Sequence, residues 1–276
     1  MKDNYAILIN TTDSFDDCWE PFFKLFKKYW PEFNGKIYLN TETKEFKYSG
    51  INIISIKNGL LNKPWSTCLH YAINQIEEDY FIYMQEDYFL HKNVNNEELE
   101  KLFSLFKNNK LDCLHLTDQC THGPFNTITF NENIWEVNKG AKYRVSTQAA
   151  FWKKSSILNI IRPWESGWDF EKFASIRSSR TTYRFMCVNQ ELYQKDFNEI
   201  LPYIFTGIIK GRWKEEVEPL FNLHNIKINF KERGFVTFRK SPSKIDSILN
   251  IIYKFFKNFF LEKVFFFKNK FYNPPK

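Results

Sequence analysis

The sequence predicts an α/β fold with a mostly parallel central sheet flanked by helices, followed by a basic amphipathic helical tail. Over the first half of the chain, short apolar runs alternate with segments of helical periodicity, a pattern typical of βαβ units. The tail, residues 241–276, contains seven lysines and two acidic residues, so five of the seven net positive charges lie there. We therefore expect one domain over residues 1–240 and a separate tail.

Composition excludes several classes of protein. A chain of 276 residues can bury a sizeable core. Its five scattered cysteines do not form the pattern of a disulfide framework, which favours a reducing cytosol. The body outside the tail is nearly neutral, which argues against nucleic-acid binding. No run of about 18 apolar residues indicates a membrane-spanning helix.

The first half of the chain is predicted to contain five strands and three helices. The apolar run from Tyr5 to Asn10 predicts a buried strand, and a polar turn leads into a helix that has Pro21 in its first turn. Ser66 is expected to cap the second helix. In order, the predicted elements are strand 5–10, helix 19–29, strands 36–39 and 51–56, helix 66–78, strand 81–84, helix 96–108 and strand 111–116.

The second half is less regular. Residues 118–144 have little periodicity and several turn formers, so they are expected to form a long loop of the kind used as lids or binding loops. After it we expect strand 145–152, helix 154–161, helix 168–177, and strands 183–188 and 203–209. Gly207 to Trp213 is expected to open the last helix of the body.

Two acidic residues directly follow the strand that ends near Met84. Ionised Glu86 and Asp87 at the end of a buried strand lose solvation unless a cation compensates, and a divalent metal that also holds phosphates fits best. Ligands of parallel sheets bind beyond the carboxyl ends of the strands, where Asp13 is also expected. A solvated strand end with acidic residues is the alternative.

A second candidate metal site is formed by two cysteine and histidine pairs, and we weigh it as an alternative. Cys113 and His115 would point to the same side of a strand, and Cys120 and His122 follow closely. The spacing is not that of a zinc finger or ribbon, and a buried Cys and His on a central strand explain the first pair more simply.

The tail has the pattern of a helix that lies on an anionic membrane surface. Its apolar residues fall on one helical face, and its lysines are placed largely opposite. The apolar face consists of Ile245, Ile248, Leu249, Ile252, Phe256, Phe259, Phe260 and Phe267, with Lys254, Lys257 and Lys268 opposite and Lys263 interrupting the face. Packing on the body or on a second subunit, as in a homo-oligomer, is the alternative.

Four segments together resemble bacterial nucleotide-sugar glycosyltransferases of the GT-A type, which build lipopolysaccharide, capsule and other surface glycans. The resemblance covers about Tyr5 to Phe238 and excludes the tail. The segments are Ile7 to Trp30; Trp65-Ser66 with Tyr80 to Leu90; Gln148-Ala-Ala-Phe-Trp-Lys153 with Trp168-Asp-Phe-Glu171; and Gly207 to Trp213 with Lys231-Glu-Arg-Gly234.

The resemblance implies a GT-A-like, Rossmann-like fold and transfer of a hexosyl or N-acetylhexosaminyl group from a nucleotide sugar, most simply a UDP-sugar. A divalent cation, Mn²⁺ or Mg²⁺, would offset the charge of the leaving diphosphate. Asp87 is the expected ligand, with Glu86 second. Gln85 stands where the family's motif could have its first Asp, so a metal-independent variant is also open, with the diphosphate balanced by Lys210, Arg212 or Arg233.

An inverting enzyme of this kind needs a base for the acceptor hydroxyl. Glu171 is the first choice and Asp169 the second. Two residues apart on a helix, they point to different faces, so at most one should reach the reacting atom. The alternative is that one caps the helix and the other pairs with a basic neighbour. The base and ribose pocket is expected to be lined by Thr11, Asp13, Trp65 and Ser66.

The expected acceptor is a glycan or a lipid-linked glycan, and the expected location is the cytoplasmic side of the inner membrane, attached peripherally by the tail. Two other classes of function are open. One is a catalytically inactive module that binds carbohydrate or nucleotide and is anchored by the tail. The other is a structural or interaction protein driven by the tail.

Overall fold

The computed structural model describes residues 5–128, 131–237 and 244–271. In the last segment, side chains are described from residue 252 to residue 265. The chain divides into two compact units, Met1–Phe235 and Val236–Lys276.

The first unit alternates strands and helices along the chain, as the sequence predicts. Among its described residues, the strands are β1 (Ala6–Asn10), β2 (Ile37–Asn40), β3 (Ile53–Ser55), β4 (Tyr80–Gln85), β5 (Cys113–His115), β6 (Phe125–Thr127), β7 (Ile134–Val137), β8 (Ala150–Lys153), β9 (Phe185–Val188), β10 (Ile208–Ile209) and β11 (Arg212–Trp213). The helices are α1 (Trp19–Tyr29), α2 (Trp65–Gln75), α3 (Asn96–Asn108), α4 (Lys154–Ile160), α5 (Gly167–Ser178), α6 (Val217–Leu223) and α7 (Phe230–Arg233), with a 3-10 turn at Asp13–Cys18.

Nine of the described strands form one sheet in the order β3-β2-β1-β4-β8-β5-β9-β7-β6. The strands β3, β2, β1 and β4 are parallel to one another. β8 runs antiparallel between β4 and β5, and β7 runs antiparallel to β9 and β6. The predicted α/β class with a mostly parallel sheet is therefore confirmed.

Helices cover both faces of the sheet. The central strand β1 is apolar on both sides, so both sides must be buried. Ile7 and Ile9 lie in one core cluster with Phe22 of α1, while Leu8 lies in the other cluster with Leu69 of α2. The five residues of β1 are fully or almost fully buried, which is typical of a central parallel strand.

The order of the strands places three chain segments at one edge of the sheet. β1 and β4 are parallel neighbours, with Asn10 opposite Gln85, so the residues that follow both strands emerge together. β8 is antiparallel to β4, with Ala150 opposite Tyr83, so the residues that precede β8 reach the same edge. This edge carries the candidate site.

Three local predictions are wrong. Ser66 does not cap α2, which begins at Trp65 after Pro64, since the Ser66 hydroxyl instead accepts a hydrogen bond from the Glu165 amide at 2.8 Å. The predicted loop 118–144 contains the antiparallel pair β6 and β7.

The third wrong prediction concerns residues 203–213. They form neither a strand to residue 209 nor a helix from residue 207, because the chain reverses in a hairpin between β10 and β11. Lys210 and Gly211 take positive φ angles of 50° and 77° at its tip, a conformation that a helix cannot contain.

The second unit contains one helix, α8 (Lys244–Phe271). Its described side chains expose a broad apolar face made of Ile252, Tyr253, Phe255, Phe256, Phe259 and Phe260. Lys263, which interrupts this face, lies over the Phe259 ring with its Nζ 4.6 Å from the centroid. No helix in the described segments is long and apolar enough to cross a bilayer. The side chains of Ile245, Ile248, Leu249, Phe267 and Lys268 lie outside the described residues.

Candidate active site

A cavity of about 530 Å³ opens at the carboxyl edge of β4. A volume of this size is typical of sites for small molecules and cofactors. Acidic, amide and aromatic side chains share its wall. The lining includes Phe15, Trp65, Gln85, Glu86, Asp87, Tyr88, Gln119, His122, Tyr143, Ser146, Thr147, Gln148, Trp168, Glu171, Phe205, Thr206, Ile208 and Lys210.

Glu86 and Asp87 form the turn directly after β4 and are buried, with 6% and 4% of their surface exposed. Asp87 is fixed by the hairpin segment 206–208. Its Oδ2 accepts hydrogen bonds from Thr206 Oγ1 at 2.7 Å and from the Ile208 amide at 3.0 Å. Its backbone carbonyl accepts from the Gly207 amide at 2.9 Å. Its Oδ1 is buried without a hydrogen-bond partner in the described part of the chain.

This close contact between the two segments requires a glycine at position 207. A Cβ there would lie 2.5 Å from a ring carbon of Phe89, closer than side-chain atoms can approach. Any larger residue would therefore push the hairpin away from Asp87.

The two buried carboxyl groups resist ionisation. Burial raises the pKa of Asp87, and its bonds from Thr206 and Ile208 oppose that shift. Burial, together with the negative charge of Asp87, raises the pKa of Glu86 well above its ordinary value. Among the described residues no lysine or arginine forms an ion pair with either one. A cation bound between them would stabilise both ionised forms.

Glu171 lies on the first turns of α5 and is 8% exposed. Its Oε1 accepts from the Thr147 amide and from Thr147 Oγ1, both at 2.8 Å. Its Oε2 makes no hydrogen bond with the described residues. Burial raises the pKa of Glu171, and the two bonds from Thr147 oppose the rise. One oxygen of this cavity-lining residue is thus held in place, while the other has no hydrogen-bond partner among the described residues.

Thr147 also connects Glu171 to the segment after β4. Tyr88, which follows Asp87, donates from its hydroxyl to the Thr147 carbonyl at 2.9 Å. Gln85 donates from Nε2 to the same Tyr88 hydroxyl at 3.2 Å. Gln85 therefore supports the wall that carries both acidic groups, which gives this residue a structural role.

Asp169, the second choice for a base, lies at the start of α5 in a helix cap. Ser166 Oγ donates to Asp169 Oδ2 at 2.7 Å and accepts from the Asp169 amide at 3.2 Å. Asp169 is not among the residues that line the cavity, whereas Glu171 is. The two side chains lie on different faces of α5, as their spacing predicts.

Of the three basic residues expected near a diphosphate, the cavity wall includes Lys210, at the tip of the hairpin. Arg233 pairs with Asp17 and donates to the Ser14 carbonyl at 2.7 Å, and its guanidinium stacks on Phe15. Arg212 is exposed outside the cavity wall and points to the Arg233 carbonyl at 3.5 Å.

The residues expected in a base and ribose pocket are dispersed. Trp65 lines the cavity, and Ser66 is buried in its bond to the segment before α5. Thr11 Oγ1 accepts from Trp19 Nε1 at 3.0 Å. Asp13 accepts from the amides of residues 42–44 and from Thr43 Oγ1, and these bonds lower its pKa. Thr11, Asp13 and Ser66 therefore hold loops in place and lie outside the cavity wall.

The alternative zinc site is not assembled. His115 Nε2 donates to the Arg144 carbonyl at 3.0 Å, and burial lowers the pKa of His115 to about 4. His122 and Cys120 both line the cavity, and Cys120 also belongs to a core cluster. In the described segments no group of three or more His, Cys, Asp or Glu side chains is placed to hold a metal ion. A cation at Glu86 and Asp87 would need further ligands from a substrate and water. All five cysteines are free and buried.

Sequence reasoning missed Thr147, Tyr88 and Thr206, which fix the acidic groups. Thr147 stands in the polar run Ser146 to Gln148 ahead of an apolar strand, a signal that could have been used. Nothing in the sequence marks Thr206, because its partner lies 119 residues away.

Comparison with known proteins adds little to this geometry. No family model matches the sequence, and no curated protein matches it. Residues 1–349 of S. aureus TarS align over 83% of this chain and 68% of that one, with 12% identity and a TM-score of 0.44. A longer TarS structure aligns over 83% of this chain and 41% of that one, with 11% identity and a TM-score of 0.44.

UDP-glucose pyrophosphorylase complexed with UDP-glucose aligns over 56% of this chain and 72% of that one, with 10% identity and a TM-score of 0.37. All of these TM-scores are below 0.5. No residue role is therefore carried over from these proteins, and the function is inferred from the site itself.

Proposed function

We propose that the protein is a glycosyltransferase that moves a hexosyl or N-acetylhexosaminyl group from a nucleotide-diphosphate sugar, most simply a UDP-sugar, to a hydroxyl of a glycan. The observation that carries the proposal is one cavity with two different carboxylate sites. Glu171 offers an unbonded oxygen, and Asp87 offers a buried oxygen without a partner. Sugar transfer needs both, a base for the acceptor and charge compensation for the diphosphate.

Glu171 is the base of an inverting, direct displacement. Its Oε2 takes the proton from the acceptor hydroxyl while that oxygen bonds to the anomeric carbon. The bond from the anomeric carbon to the diphosphate oxygen breaks, and the nucleoside diphosphate leaves with the electron pair. Thr147 fixes Glu171 for this step, and the raised pKa makes its carboxylate a stronger base than an exposed glutamate.

Asp87 and Glu86 fit Mn²⁺ or Mg²⁺, because hard cations prefer carboxylate oxygens and Asp87 Oδ1 is buried without compensation. When bound, the cation supplies positive charge to the leaving diphosphate. Lys210 adds a positive charge from the hairpin. In the metal-independent alternative, Lys210 takes over this role, without Arg212 and Arg233, which lie outside the cavity wall.

The test is incubation of the full chain with a panel of nucleotide sugars and a glycan extract, with and without Mn²⁺, measuring release of nucleoside diphosphate. We expect release with one donor, stimulated by Mn²⁺, and a loss of about a hundredfold or more in Asp87→Asn. Mn²⁺ should also raise the melting temperature of the wild type and leave that of Asp87→Asn unchanged.

Asp196→Asn is the matched control, because it makes the same chemical change at an exposed position outside the cavity. Nucleotide-sugar binding without release would support the inactive binding module in place of the enzyme. Equal activity with and without Mn²⁺, abolished by Lys210→Ala, would establish the metal-independent alternative. The proposal would be contradicted if the protein bound none of the donors and released nucleoside diphosphate from none of them.

For the tail we propose attachment to an anionic membrane surface. The support is the exposed face of Ile252, Phe256, Phe259 and Phe260 together with the surplus of lysines. Such attachment suits a lipid-linked acceptor of lipopolysaccharide or capsule synthesis at the cytoplasmic side of the inner membrane. Sedimentation with vesicles containing phosphatidylglycerol should retain the full chain, and truncation after Phe238 should release it with turnover on a soluble acceptor preserved.

A further inference from the structure

Trp168 is an exposed indole in the wall of the cavity. It is 74% exposed although it belongs to the first turn of α5, and no aromatic ring of the described chain stacks on it. Single exposed apolar side chains are common on protein surfaces. Trp168 differs from such side chains because it lies beside the candidate base, a position in which its exposed indole could stack on a ligand.

Trp168 and Glu171 are three residues apart on α5 and line the same cavity. Side chains at this spacing are neighbours on a helix surface, with Cβ atoms about 5–6 Å apart. A flat ring that rests on the indole would thus present its substituents to Glu171. The other oxygen of Glu171 is already occupied by Thr147, so the available Oε2 is the one that such a ring would meet.

The backbone beneath Trp168 is fixed by packing. Ser166 caps the helix, and Gly167 packs on Trp65, where a Cβ would lie 3.5 Å from the indole. Trp65 in turn packs against Phe170, with ring centroids 5.5 Å apart. Trp65 therefore supports the first turn of α5, and Trp168 is held on a rigid element, as a stacking platform requires.

Other parts of the wall supply hydrogen-bonding groups and a further ring. Gln119, His122 and Gln148 line the cavity together with Tyr143. Tyr143 has a φ of 57°, an unfavourable conformation for a bulky residue, and such strain is concentrated at functional sites. Glu171 is the acidic neighbour of Trp168 on α5, so an anionic group stacked on Trp168 would be repelled by the ionised base.

We infer that Trp168 is the acceptor platform, on which an uncharged sugar ring stacks with one hydroxyl directed to Glu171. The inference rests on the proposed function and adds the acceptor's chemical class, a neutral glycan end without phosphate or carboxylate. Aromatic side chains bind sugar rings because the apolar face of the ring is buried on the indole while its hydroxyls remain at the polar wall.

Binding can be tested without turnover. The full chain and Trp168→Phe are titrated with methyl glycosides of neutral hexoses and N-acetylhexosamines, and with glucose 6-phosphate, while tryptophan fluorescence is recorded. We expect a saturable change with at least one neutral glycoside that is absent in Trp168→Phe, and binding of the phosphate at least about tenfold weaker.

The kinetic test uses the best donor and acceptor found for the enzyme. Trp168→Ala should raise the acceptor KM roughly tenfold, and Trp168→Phe about threefold. The dissociation constant of the nucleoside diphosphate, measured without acceptor, should stay within about twofold. Phe197→Ala, an exposed aromatic outside the cavity, is the matched control.

An acceptor KM unchanged in Trp168→Ala, or tighter binding of the phosphorylated sugar, would overturn the inference. A fluorescence shift with anionic vesicles and no response to glycosides would assign Trp168 to a bilayer and would also overturn it. If no donor turns over, the proposed function fails, while the glycoside titration still decides whether Trp168 binds a sugar.

Discussion

The carboxylates of Asp87 and Glu171 are each held through one oxygen by a threonine hydroxyl and a backbone amide, but their donors differ in distance along the chain. Asp87 is held by Thr206 and Ile208, about 120 residues away. Glu171 is held by Thr147, which is 24 residues away. Asp87 thus joins the sheet to the hairpin that carries Lys210. The bonds to Glu171 come from a nearby segment, and they act on the pKa of its carboxyl group.

This difference means that equal chemical changes at the two sites should have unequal consequences. A change at Asp87 displaces a second element of the site, so donor binding should respond. A change around Glu171 alters basicity and leaves the hairpin in place, so the pH profile of turnover should respond.

The largest expected effect is that of Glu171→Gln. The amide keeps the size of the side chain but cannot accept the acceptor proton, so kcat should fall by roughly 10²–10⁴ with little change in donor KM. Steady-state release of nucleoside diphosphate measures both. Asp169→Asn is the comparison variant and should retain kcat within about tenfold, because Asp169 belongs to the helix cap. A greater loss in Asp169→Asn would transfer the role of base to Asp169.

The next effect is that of Thr206→Val, which removes the hydroxyl from Asp87 Oδ2 and keeps the β-branched shape. We expect donor kcat/KM to fall about tenfold, since a hydrogen bond to a charged group contributes roughly 1.5–3 kcal/mol. Without this bond the hairpin is held less firmly, and Lys210 at its tip is displaced. Initial rates at limiting donor measure this. Unchanged donor kinetics would show that the hairpin keeps its place without the Asp87 bond.

Thr147→Val makes the same change at the other carboxylate and should act on pH dependence. The Thr147 hydroxyl stabilises ionised Glu171, so its removal raises further a pKa that burial already raises. Because the base must be deprotonated, the acidic limb of kcat should move to higher pH, while kcat at high pH changes little. A profile of kcat from pH 5 to 9 checks the direction, and a shift to lower pH would contradict it.

The smallest effect is a gain in stability in Glu86→Gln. The pKa of Glu86 is raised in the folded state, so its ionised form opposes folding at pH values above the unfolded pKa. Without added metal, the variant should be more stable than the wild type at pH 7, on the order of 1 kcal/mol or about 2–4 °C. The gain should disappear below about pH 4, where the unfolded carboxyl is also protonated. Thermal unfolding at both pH values decides this, and Glu191→Gln is an exposed control.

The fold was largely predictable, because its evidence is local. The apolar run Tyr5 to Asn10 and its alternation with helical segments suffice for a parallel sheet with helices on both faces. The local errors arose where no periodicity exists. The hairpin of residues 208–213 depends on positive φ angles at Lys210 and Gly211, and a Lys-Gly pair alone gives too weak a signal.

The site was predictable only in part. Glu86, Asp87, Trp65, Glu171 and Lys210 do line one cavity, whereas Thr11, Asp13, Ser66, Arg212 and Arg233 were expected there and lie elsewhere. A polar residue after a strand looks the same in sequence whether it binds a ligand or a neighbouring loop. Asp13 illustrates this, since its carboxylate is fully engaged by residues 42–44.

The sequence by itself determined the α/β class, the acidic pair at the end of β4 and the basic apolar tail. Periodicity and charge depend on residues that are close together in the chain, so they can be recognised without the structure. Only the tertiary structure decided which oxygen of each carboxylate has no hydrogen-bond partner among the described residues. It also decided that Arg233 forms an ion pair with Asp17, and that Trp168 lies beside Glu171 in a cavity wall. Those outcomes depend on contacts between segments far apart in the chain, and a hydrogen bond formed across such a distance leaves no local pattern in the sequence.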